Sequence, residues 1–570
     1  MKTFNTFSDL IASIQTKTES TFVCTERAGA EYVLQAVGYT ALVGDATFAN
    51  GRVAALQSTE NVRSYGTIGA TDCSAVIQLA TNSGRSDKYN FRGTFKVDVP
   101  TLTSGISNLT LDCEGAYFDC STMYGADVSN NLDALFKIFG SEYGATTLVA
   151  DGAVNSTTLL VADGTQIKLG SEIYILSDEH WYSDNVTSVG RRFITTVTNI
   201  STNTLTISDP LPFSFTASGY TISVESWNSI ENINVIGGEF FGGNYRRDLG
   251  NGVGIGVVEC KYFRNLKIKG FTVNGFESIA FKPHFGKTAI IESGTIQGHT
   301  NSFGTVTEGV NSGFYGVFFS RVLTGRMDKV TGTRCRHLQD SASSFDLKVT
   351  NNTSYMSHRP GFGCHNGTFD TTYTDCSNYG EIGGIQWRGF NLYVDGFICR
   401  TGNSGSNGIY DTTGAAADLP SVRIITNPDI IAGRAGIKLS GNISIAQIAG
   451  GTVIGGAQDS GYFPVDIATD YIEYATVSTY MEQFSGSGVC FFQSSSSIVN
   501  MKMIKITDSY LKSDNNLARF AAGAGIGSVW IEQNVFDSSA AGFDININNA
   551  QNFERVNANF RPDGTPATRN

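Results

Sequence analysis

Three consecutive segments of the chain begin with the same strand-like pattern, and this repeat constrains the fold more than any other feature. The segments start at Phe345, Phe369 and Phe390, so the repeat lengths are 24 and 21 residues. Each segment has short alternating strands broken by Gly, Asn, Ser or Asp, without a helical apolar pattern between them. A repeat of this size predicts a β-solenoid, in which each repeat buries its apolar face against the next one.

The composition agrees with a chain of many tight turns between strands. Of the 570 residues, 64 are Gly and 10 are Pro, and 16% are charged. The formal net charge of -12 argues against nucleic-acid binding, which needs a basic surface. No apolar run approaches the ~18 residues of a membrane-spanning helix, so no membrane partner is expected.

The sequence predicts neither a metal nor a cofactor. The ten cysteines are scattered without a CxxC pair or a zinc-like spacing, and we interpret them as reduced core residues. The first residues do not resemble a signal peptide, which agrees with synthesis in a reducing compartment. The Gly-rich stretch GGNYRRDLGNGVGIG lacks the strand-to-helix context of a nucleotide-binding loop.

The pattern divides the chain into five segments. Residues 1–60 are predicted to form a small β-unit for attachment or organisation, and residues 61–123 a capping helix with the first solenoid strands. The repeat breaks at 124–225, which we interpret as an inserted antiparallel β-subdomain. The main solenoid, carrying the functional site, is expected over 226–560, and 561–570 is expected to be a disordered tail.

A motif before the first solenoid strands resembles a known family. Residues 65–77, YGTIGATDCSAVI, are similar to the opening motif of bacteriophage tailspike depolymerases with a pectate-lyase-like β-helix. In that family Phe-Gly-Ala is followed by Asp-Asp-Thr and a short helix, whereas Asp72-Cys73-Ser74 stands here. The preceding small β-unit and the polar groups of CRH, GCHNG and IQWRG on successive repeats extend the resemblance to nearly the whole chain.

The resemblance implies a right-handed parallel β-helix, a homotrimer and a place in the virion tail. The N-terminus would bind other phage tail or baseplate proteins after synthesis in the bacterial cytoplasm. The implied function is recognition and depolymerisation of a bacterial capsular or O-antigen polysaccharide at the host cell surface. Because members of the family cut by hydrolysis or by elimination, the resemblance leaves the reaction open.

Four acidic residues are candidates for glycosidic bond hydrolysis, which uses two carboxylates on either side of the scissile bond. Asp346 and Asp370 follow repeat phenylalanines, so we expect them to stack one rung apart, with a raised pKa for one of them. Glu308 lies in a polar loop and Asp340 follows RCRHLQ. The alternative for all four is an ordinary solvated carboxylate.

Histidine and arginine residues are concentrated in a short stretch of the chain. Five of the six histidines fall within residues 284–365. A solenoid would fold this window into a few rungs, so His337, His358, His365 and Arg388 are predicted to line one substrate-binding surface. Such groups suit a uronate carboxylate and proton abstraction in a lyase. Scattered structural hydrogen bonds are the alternative.

Aromatic residues near the glycines of the repeat are candidate platforms for sugar rings. We align the repeats on Gly363, Gly384 and Gly408. This alignment predicts an inward apolar column of Cys364, Ile385 and Ile409. His365 and Tyr410 then fall in the neighbouring outward column. Trp387 and Tyr410 could stack on a sugar, and a place in the core is the alternative for Trp387.

The sequence therefore predicts a polysaccharide depolymerase, with hydrolysis favoured and elimination second. Two alternatives come from other classes of protein. One is a spike that binds polysaccharide without cutting it. The other is a deacetylase, which would need a Ser–His pair, although no GxSxG-type elbow is present in the sequence.

Overall fold

A computed structural model shows a chain built almost entirely of β-strands. They form two compact units: Met1–Glu142 with Trp227–Phe314, and Tyr143–Ser226 with Tyr315–Asn570. The structure describes residues 2–13, 21–37, 39–68, 71–123, 132–183, 188–242, 254–276, 278–298, 314–357, 359–365, 367–380, 382–401, 406–411, 421–456, 463–483, 490–493, 500–513, 518–521, 526–538, 545–547, 550–557 and 559–566.

The first unit opens with a short helix on a small β-sheet. Helix α1 spans Phe7–Ala12 and begins at Thr6, whose side chain accepts a hydrogen bond from the amide of Asp9. Leu10 is its buried residue. The five strands are Lys2–Phe4 (β1), Thr21–Cys24 (β2), Ala30–Leu34 (β3), Ala46–Thr47 (β4) and Val53–Leu56 (β5).

A second helix leads into a run of parallel strands in the same unit. After a 3-10 turn at Val62–Tyr65, helix α2 spans Ser74–Thr81, in agreement with the predicted helix. Asp72 Oδ1 accepts from the amide of Ser74 at 3.0 Å, which satisfies a free donor at the helix start. The strands are Lys88–Asn90 (β6), Gly93–Lys96 (β7), Thr101–Ser104 (β8), Thr110–Asp112 (β9), Ala116–Asp119 (β10) and Leu132–Phe139 (β11).

An antiparallel sheet, here called the inserted sheet, interrupts the parallel strands. Its order is β12-β17-β14-β15-β16-β13. We predicted the insertion from residue 124, but β11 still pairs in parallel with β8, because its alternating apolar residues fit the parallel coil. The strands of the inserted sheet are Ser141–Thr147 (β12), Thr158–Leu160 (β13), Glu172–Ser183 (β14), Ser188–Ser201 (β15), Thr204–Ile207 (β16) and Ile222–Asn228 (β17), with a 3-10 turn at Gly164–Gln166.

Parallel pairing resumes in the first unit after the inserted sheet. Phe95, Phe118 and Phe240 lie in register on neighbouring strands and are fully buried. Their rings stack with centroids 5.2 and 5.1 Å apart, so the core of this unit repeats from strand to strand. The strands are Ile230–Ile236 (β18), Glu239–Phe241 (β19), Gly254–Lys269 (β20), Thr272–Asn274 (β21) and Ile279–Gln297 (β22).

The second unit continues with a parallel coil of three strands per rung, which confirms the predicted solenoid. Strands β26, β27 and β28 pair with β29, β30 and β31 of the next rung. The strands of this coil are Tyr315–Val322 (β23), Gly325–Thr333 (β24), His337–Ala342 (β25), Leu347–Thr350 (β26), Thr353–Tyr355 (β27), Phe362–Gly363 (β28), Phe369–Thr374 (β29), Ser377–Tyr379 (β30), Ile385–Trp387 (β31), Phe390–Asp395 (β32), Ile398–Arg400 (β33), Ile409–Asp411 (β34), Ser421–Thr426 (β35), Asp429–Ile431 (β36), Ile437–Gly455 (β37), Val465–Gln483 (β38), Cys490–Gln493 (β39), Asn500–Thr507 (β40), Tyr510–Ser513 (β41), Ala518–Ala521 (β42), Ile526–Glu532 (β43), Val535–Ser538 (β44), Ile545–Ile547 (β45) and Ala550–Asn557 (β46).

The observed register differs by two residues from the predicted alignment of the repeats. Phe362, rather than Cys364, pairs with Ile385 in a fully buried inward column. The segment RPGFG contains two glycines, and Gly361, not Gly363, precedes the strand at the position of Gly384 in the next rung. Because the difference is even, it keeps inward and outward faces but changes which polar residues are neighbours.

The three repeat phenylalanines form a stack that the inserted sheet covers. Phe345, Phe369 and Phe390 stack with centroids 4.9 and 4.6 Å apart and are at most 6% exposed. Phe193 of β15 and Phe213, in the connection between β16 and β17, pack on this stack at 5.3 and 5.5 Å. The repeat signal in the sequence therefore marks a docking surface for the inserted sheet within the second unit.

Two further predictions concern the C-terminal tail and the cysteines. Residues 561–566 of the predicted tail form a turn, in which Arg561 donates to the carbonyl of Thr565. Nine cysteines among the described residues are free and buried. In the same described ranges, no helix combines the length and the apolar character that crossing a membrane requires.

Replacing Phe369 by Ala should destabilise the second unit by about 3–5 kcal/mol, because the change removes a buried ring that contacts both the coil and the inserted sheet. Thermal unfolding and limited proteolysis of residues 143–226 would measure the effect. The matched control is Tyr379→Ala, since this ring also stacks along the coil, at 5.3 Å from Tyr355, but is 39% exposed. Equal losses in the two variants would contradict the role of the inserted sheet.

Candidate functional site

The predicted acidic pair lies at an exposed turn of the coil. Asp346, Asp370 and Asn391 stack on successive rungs, and Asn391 Nδ2 donates to Asp370 Oδ1 at 2.8 Å. All three have left-handed backbone conformations, with φ of 46°, 51° and 49°, which Asp and Asn tolerate better than other side chains. Asp346 Oδ1 lies 3.4 Å from the ammonium of Lys348. The column therefore has a conformational explanation, and the predicted catalytic role of Asp346 and Asp370 stays a prediction.

Two other predicted residues cannot be placed in the site. Glu308, a predicted catalytic acid, and His358, a predicted binding residue, lie outside the described residues. Both therefore stay predictions.

Asp340 is buried although it lies in an outward column of the coil. Its neighbour Gln339 points into the core, where its side-chain oxygen accepts a hydrogen bond from Tyr373 at 2.9 Å. Asp340 therefore points to the opposite face, yet it is 1% exposed. Burying a carboxylate costs free energy unless charged or hydrogen-bonding groups compensate its charge. The surroundings of Asp340 therefore indicate a functional site.

His365 and Arg388 extend the surroundings of Asp340 along the coil. His365 Nε2 lies 3.1 Å from Asp340 Oδ2, and the amide of Ser341 donates to Asp340 Oδ1 at 2.8 Å. Arg388 Nη1 lies 3.3 Å from His365 Nδ1. A guanidinium only donates, so Nδ1 accepts this bond and the proton of the neutral ring is on Nε2, facing the carboxylate.

His337 lies on the same strand as Asp340. In its neutral ring, the donor and acceptor nitrogens are exchanged relative to those of His365. Its Nδ1 is 2.6 Å from the carbonyl oxygen of Pro360, which only accepts, so Nδ1 carries the proton. In the neutral ring Nε2 is then a proton acceptor. Gly363 leaves space beside both groups, because a Cβ there would be 3.6 Å from Asp340 Oδ1 and from His337 Nδ1.

The pKa values of the two histidines are shifted in opposite directions. Burial lowers the pKa of His337 to about 4, although the charge of Asp340 opposes this shift. The charge of Asp340 raises the pKa of His365, although burial opposes it. The pKa of Asp340 itself is lowered, because the charge and hydrogen bond of His365 outweigh burial. Below pH 6.5, His365 is therefore protonated more readily than His337, which keeps a proton acceptor at Nε2. Protonation of His365 at Nδ1 replaces the bond accepted from Arg388 by a proton donor beside the ionised carboxylate, as acid–base catalysis requires.

Tyr315 completes the cluster, and Arg336 lies over its ring. The Tyr315 ring is 5.4 Å from the His337 ring and pairs with it in register, while the Arg336 guanidinium lies 5.3 Å over the Tyr315 ring. Burial first, and then the charge of Asp340, raises the pKa of Tyr315 to about 12. Sequence reasoning missed Tyr315, and its position one rung before His337 is the signal that could have found it. We call Tyr315, His337, Asp340, His365 and Arg388 the Asp340 cluster.

The two predicted aromatic platforms differ in accessibility. Trp387 is fully buried, with the guanidinium of Arg423 6.0 Å from its ring, which favours the core alternative and removes it from the candidate surface. Tyr410 is half-buried and outward, and the ammonium of Lys438 lies 5.9 Å from its ring. Tyr410 therefore stays a predicted sugar platform, three rungs beyond Asp340.

Comparison with known proteins adds information on the fold. No protein family and no curated protein matches the sequence. The Gp54 tailspike of Acinetobacter baumannii bacteriophage AP22, solved with an A. baumannii capsular saccharide, has a TM-score of 0.54 and 14% identity over 85% of this chain and 76% of that one. The chain has the fold of a phage tailspike. The gp49 tailspike of Pseudomonas phage LKA1 gives a TM-score of 0.49 and 12% identity, covering 82% of this chain and 76% of that one.

The His337 environment predicts a specific dependence of stability on pH. Because the folded pKa of about 4 is below the ordinary value of 6.5, the unfolded chain binds more protons between these pH values. Stability from this group should fall by about 3 kcal/mol as the pH is lowered from 6.5 to 4. The thermal midpoint of His337→Asn, measured across this range, should change less steeply than that of the wild type.

His365 provides the matched control for this measurement. Its pKa is raised, so its contribution is present below about pH 6.5 and is lost as the pH rises through its folded pKa. His365→Gln should therefore change the profile on the alkaline side, which His337→Asn should leave in place. An unchanged acid slope in His337→Asn would show that His337 is not held neutral.

Proposed function

We propose that this protein is a phage tailspike that binds a bacterial capsular or O-antigen polysaccharide and cleaves its glycosidic bonds at the Asp340 cluster. The observation that carries the proposal is a buried carboxylate, Asp340, with two histidine rings in its cluster whose outer polar atoms are fixed as an acceptor and a donor, on a face that a plain coil would leave to solvent. The tailspike fold supports it, since the AP22 protein of the same fold was solved with a capsular saccharide. The right hand of the coil, a homotrimer and attachment to the phage tail through residues 1–60 are parts of the same proposal.

Hydrolysis is the first candidate reaction. His337 Nε2 would take a proton from the attacking water, and His365, held at Nε2 by Asp340 and protonated at Nδ1, would give its Nδ1 proton to the leaving oxygen. Asp340 would orient His365 and stabilise the positive charge that develops on the sugar. This differs from the predicted role of Asp340 in an acidic pair, because a carboxylate with a lowered pKa holds no proton to donate.

Elimination is the second candidate, and Arg388 favours it. A lyase needs a cation beside the uronate carboxylate, a base for the adjacent carbon acid and an acid for the leaving oxygen. Arg388 would supply the cation, His337 the base and His365 the acid. The same residues would serve in either reaction. The reaction would be elimination only if the substrate contains a uronate.

The test is degradation of polysaccharides from a panel of bacterial strains by the purified protein. Asp340→Asn and His365→Gln should each lower kcat by about 100-fold or more, because both changes remove the paired proton donor. The control is Asp370→Asn, which changes an exposed turn carboxylate and can still accept the hydrogen bond from Asn391. Equal losses in Asp340→Asn and Asp370→Asn would place the chemistry elsewhere.

Two readouts separate the reactions and the non-enzymatic alternatives. Reducing ends without ultraviolet absorbance indicate hydrolysis, and both signals together indicate an unsaturated uronate and elimination. Acetate release without chain shortening would replace the proposal by a deacetylase. Binding of a polymer without any product would replace it by a spike that only attaches.

A further inference from the structure

The inserted sheet contacts the coil at residues that follow Asp340 closely in the chain. Strand β15 of the inserted sheet carries Phe193, whose ring meets Phe345 at 5.3 Å and 84°. The preceding residue, Arg192, donates from Nη1 to Ser343 Oγ at 2.7 Å. The contact surface of the inserted sheet therefore extends from the phenylalanine stack to a residue three positions after Asp340.

Ser343 lies in a constrained part of the rung. It is 1% exposed, and its φ of 53° is in the left-handed region, which costs a side chain other than Gly about 1 kcal/mol or more. A strained conformation persists only where surrounding contacts hold it. Arg192 supplies one of these contacts from outside the coil.

Residues next to Ser343 in the chain also form hydrogen bonds with the loop that carries His365. We call residues 340–344 the rung segment, and we call Cys364, His365, Gly367 and Thr368 the site loop. The amide of His365 donates to the carbonyl of Ser341 at 2.5 Å. Thr368 Oγ1 donates to the carbonyl of His365 at 3.1 Å and lies 3.4 Å from Ser341 Oγ.

A close approach also joins Ser343 itself to the site loop. Gly367 has a φ of 76°, and a Cβ at this position would be 3.3 Å from Ser343 Oγ and 3.5 Å from its Cα. The site loop can therefore lie against Ser343 only while that residue keeps its position. Movement of Ser343 would displace Gly367 and the adjacent Thr368, whose side chain donates to the carbonyl of His365.

We propose that Arg192 is a positioning residue for the Asp340 cluster: through Ser343 it holds the rung segment in the geometry that keeps the site loop, and therefore His365, against Asp340. The inference rests on the proposed function for its catalytic consequence. Arg192 belongs to a different layer of the fold from the residues that would touch substrate. The inserted sheet then contributes to catalysis without contributing a reacting group.

The expected size of the effect follows from the geometry. The contact between His365 Nε2 and Asp340 Oδ2 is 3.1 Å, so a small displacement of the site loop weakens it. Misplacement of a catalytic group by about 1 Å costs up to 100-fold in rate. Loss of one hydrogen bond two contacts away should have a smaller effect, about tenfold on kcat, with KM changed less than about threefold.

The experiment compares Arg192→Met, Ser343→Ala and the double variant with the wild type. We expect the two single variants to lose similar activity and the double variant to lose no more than either, because both changes break the same contact. Arg192→Lys retains a donor and should recover part of kcat. The control is Thr198→Ala, which removes an exposed hydrogen bond to the carbonyl of Thr206 within the inserted sheet.

A titration of His365 by NMR gives a readout that does not need substrate. Its imidazole faces Asp340, Arg388 and Arg336, with His337 in the same cluster and the Phe318 ring at 6.2 Å. Arg192→Met should lower the pKa of His365 towards its ordinary value, since the site loop would no longer hold the ring against Asp340. Thr198→Ala should leave this pKa unchanged.

The two readouts distinguish the possible failures. An unchanged His365 pKa and an unchanged kcat in Arg192→Met would overturn the positioning role, and so would additive losses in the double variant. If the wild type degrades no polymer but Arg192→Met shifts the His365 pKa, the proposed function fails while the structural coupling stands. A lowered thermal midpoint with normal kcat and pKa in the folded variant would assign Arg192 to stability alone.

Discussion

Parallel hydrogen bonding between successive rungs is the constraint on which the rest of this structure depends. It places the same position of each repeat in register with the next, so a choice made at one residue is repeated along the coil. The fully buried column of Phe362, Ile385 and Ile409 is one result. The exposed column of Asp346, Asp370 and Asn391 is another, and there the residue type follows from the backbone conformation of a turn.

The same constraint makes the Asp340 cluster unusual. An outward column normally meets water, which solvates its polar groups without help from neighbours. Asp340 is outward yet buried, so its charge has to be balanced by protein groups, and His365 lies at ion-pairing distance. The carboxylate then changes the pKa values of its neighbours. Its field raises the pKa of His365, whereas burial dominates at His337 and lowers the pKa there.

The sequence predicted the repeat architecture but not the neighbours within it. The spacing of Phe345, Phe369 and Phe390 was sufficient for the solenoid, since rung length appears directly in the period. Alignment on Gly363 was wrong by two residues, because Gly361 in the same short segment holds the equivalent position. His365 consequently lies beside Arg388, and the concentration of His and Arg in one window had indicated the cluster without giving its contacts.

The sequence by itself determined the strand period, the alternation of inward and outward residues and the residue types of the turns, because these depend on local backbone geometry. Only the tertiary structure decided which acidic residue is buried and which is a turn residue, since Asp340 and Asp370 are chemically the same. It also decided that the repeat phenylalanines meet the inserted sheet, whose Phe193 is distant from Phe345 in the chain. The pKa values of His337 and His365 depend on such long-range contacts, and no local pattern in the sequence contains them.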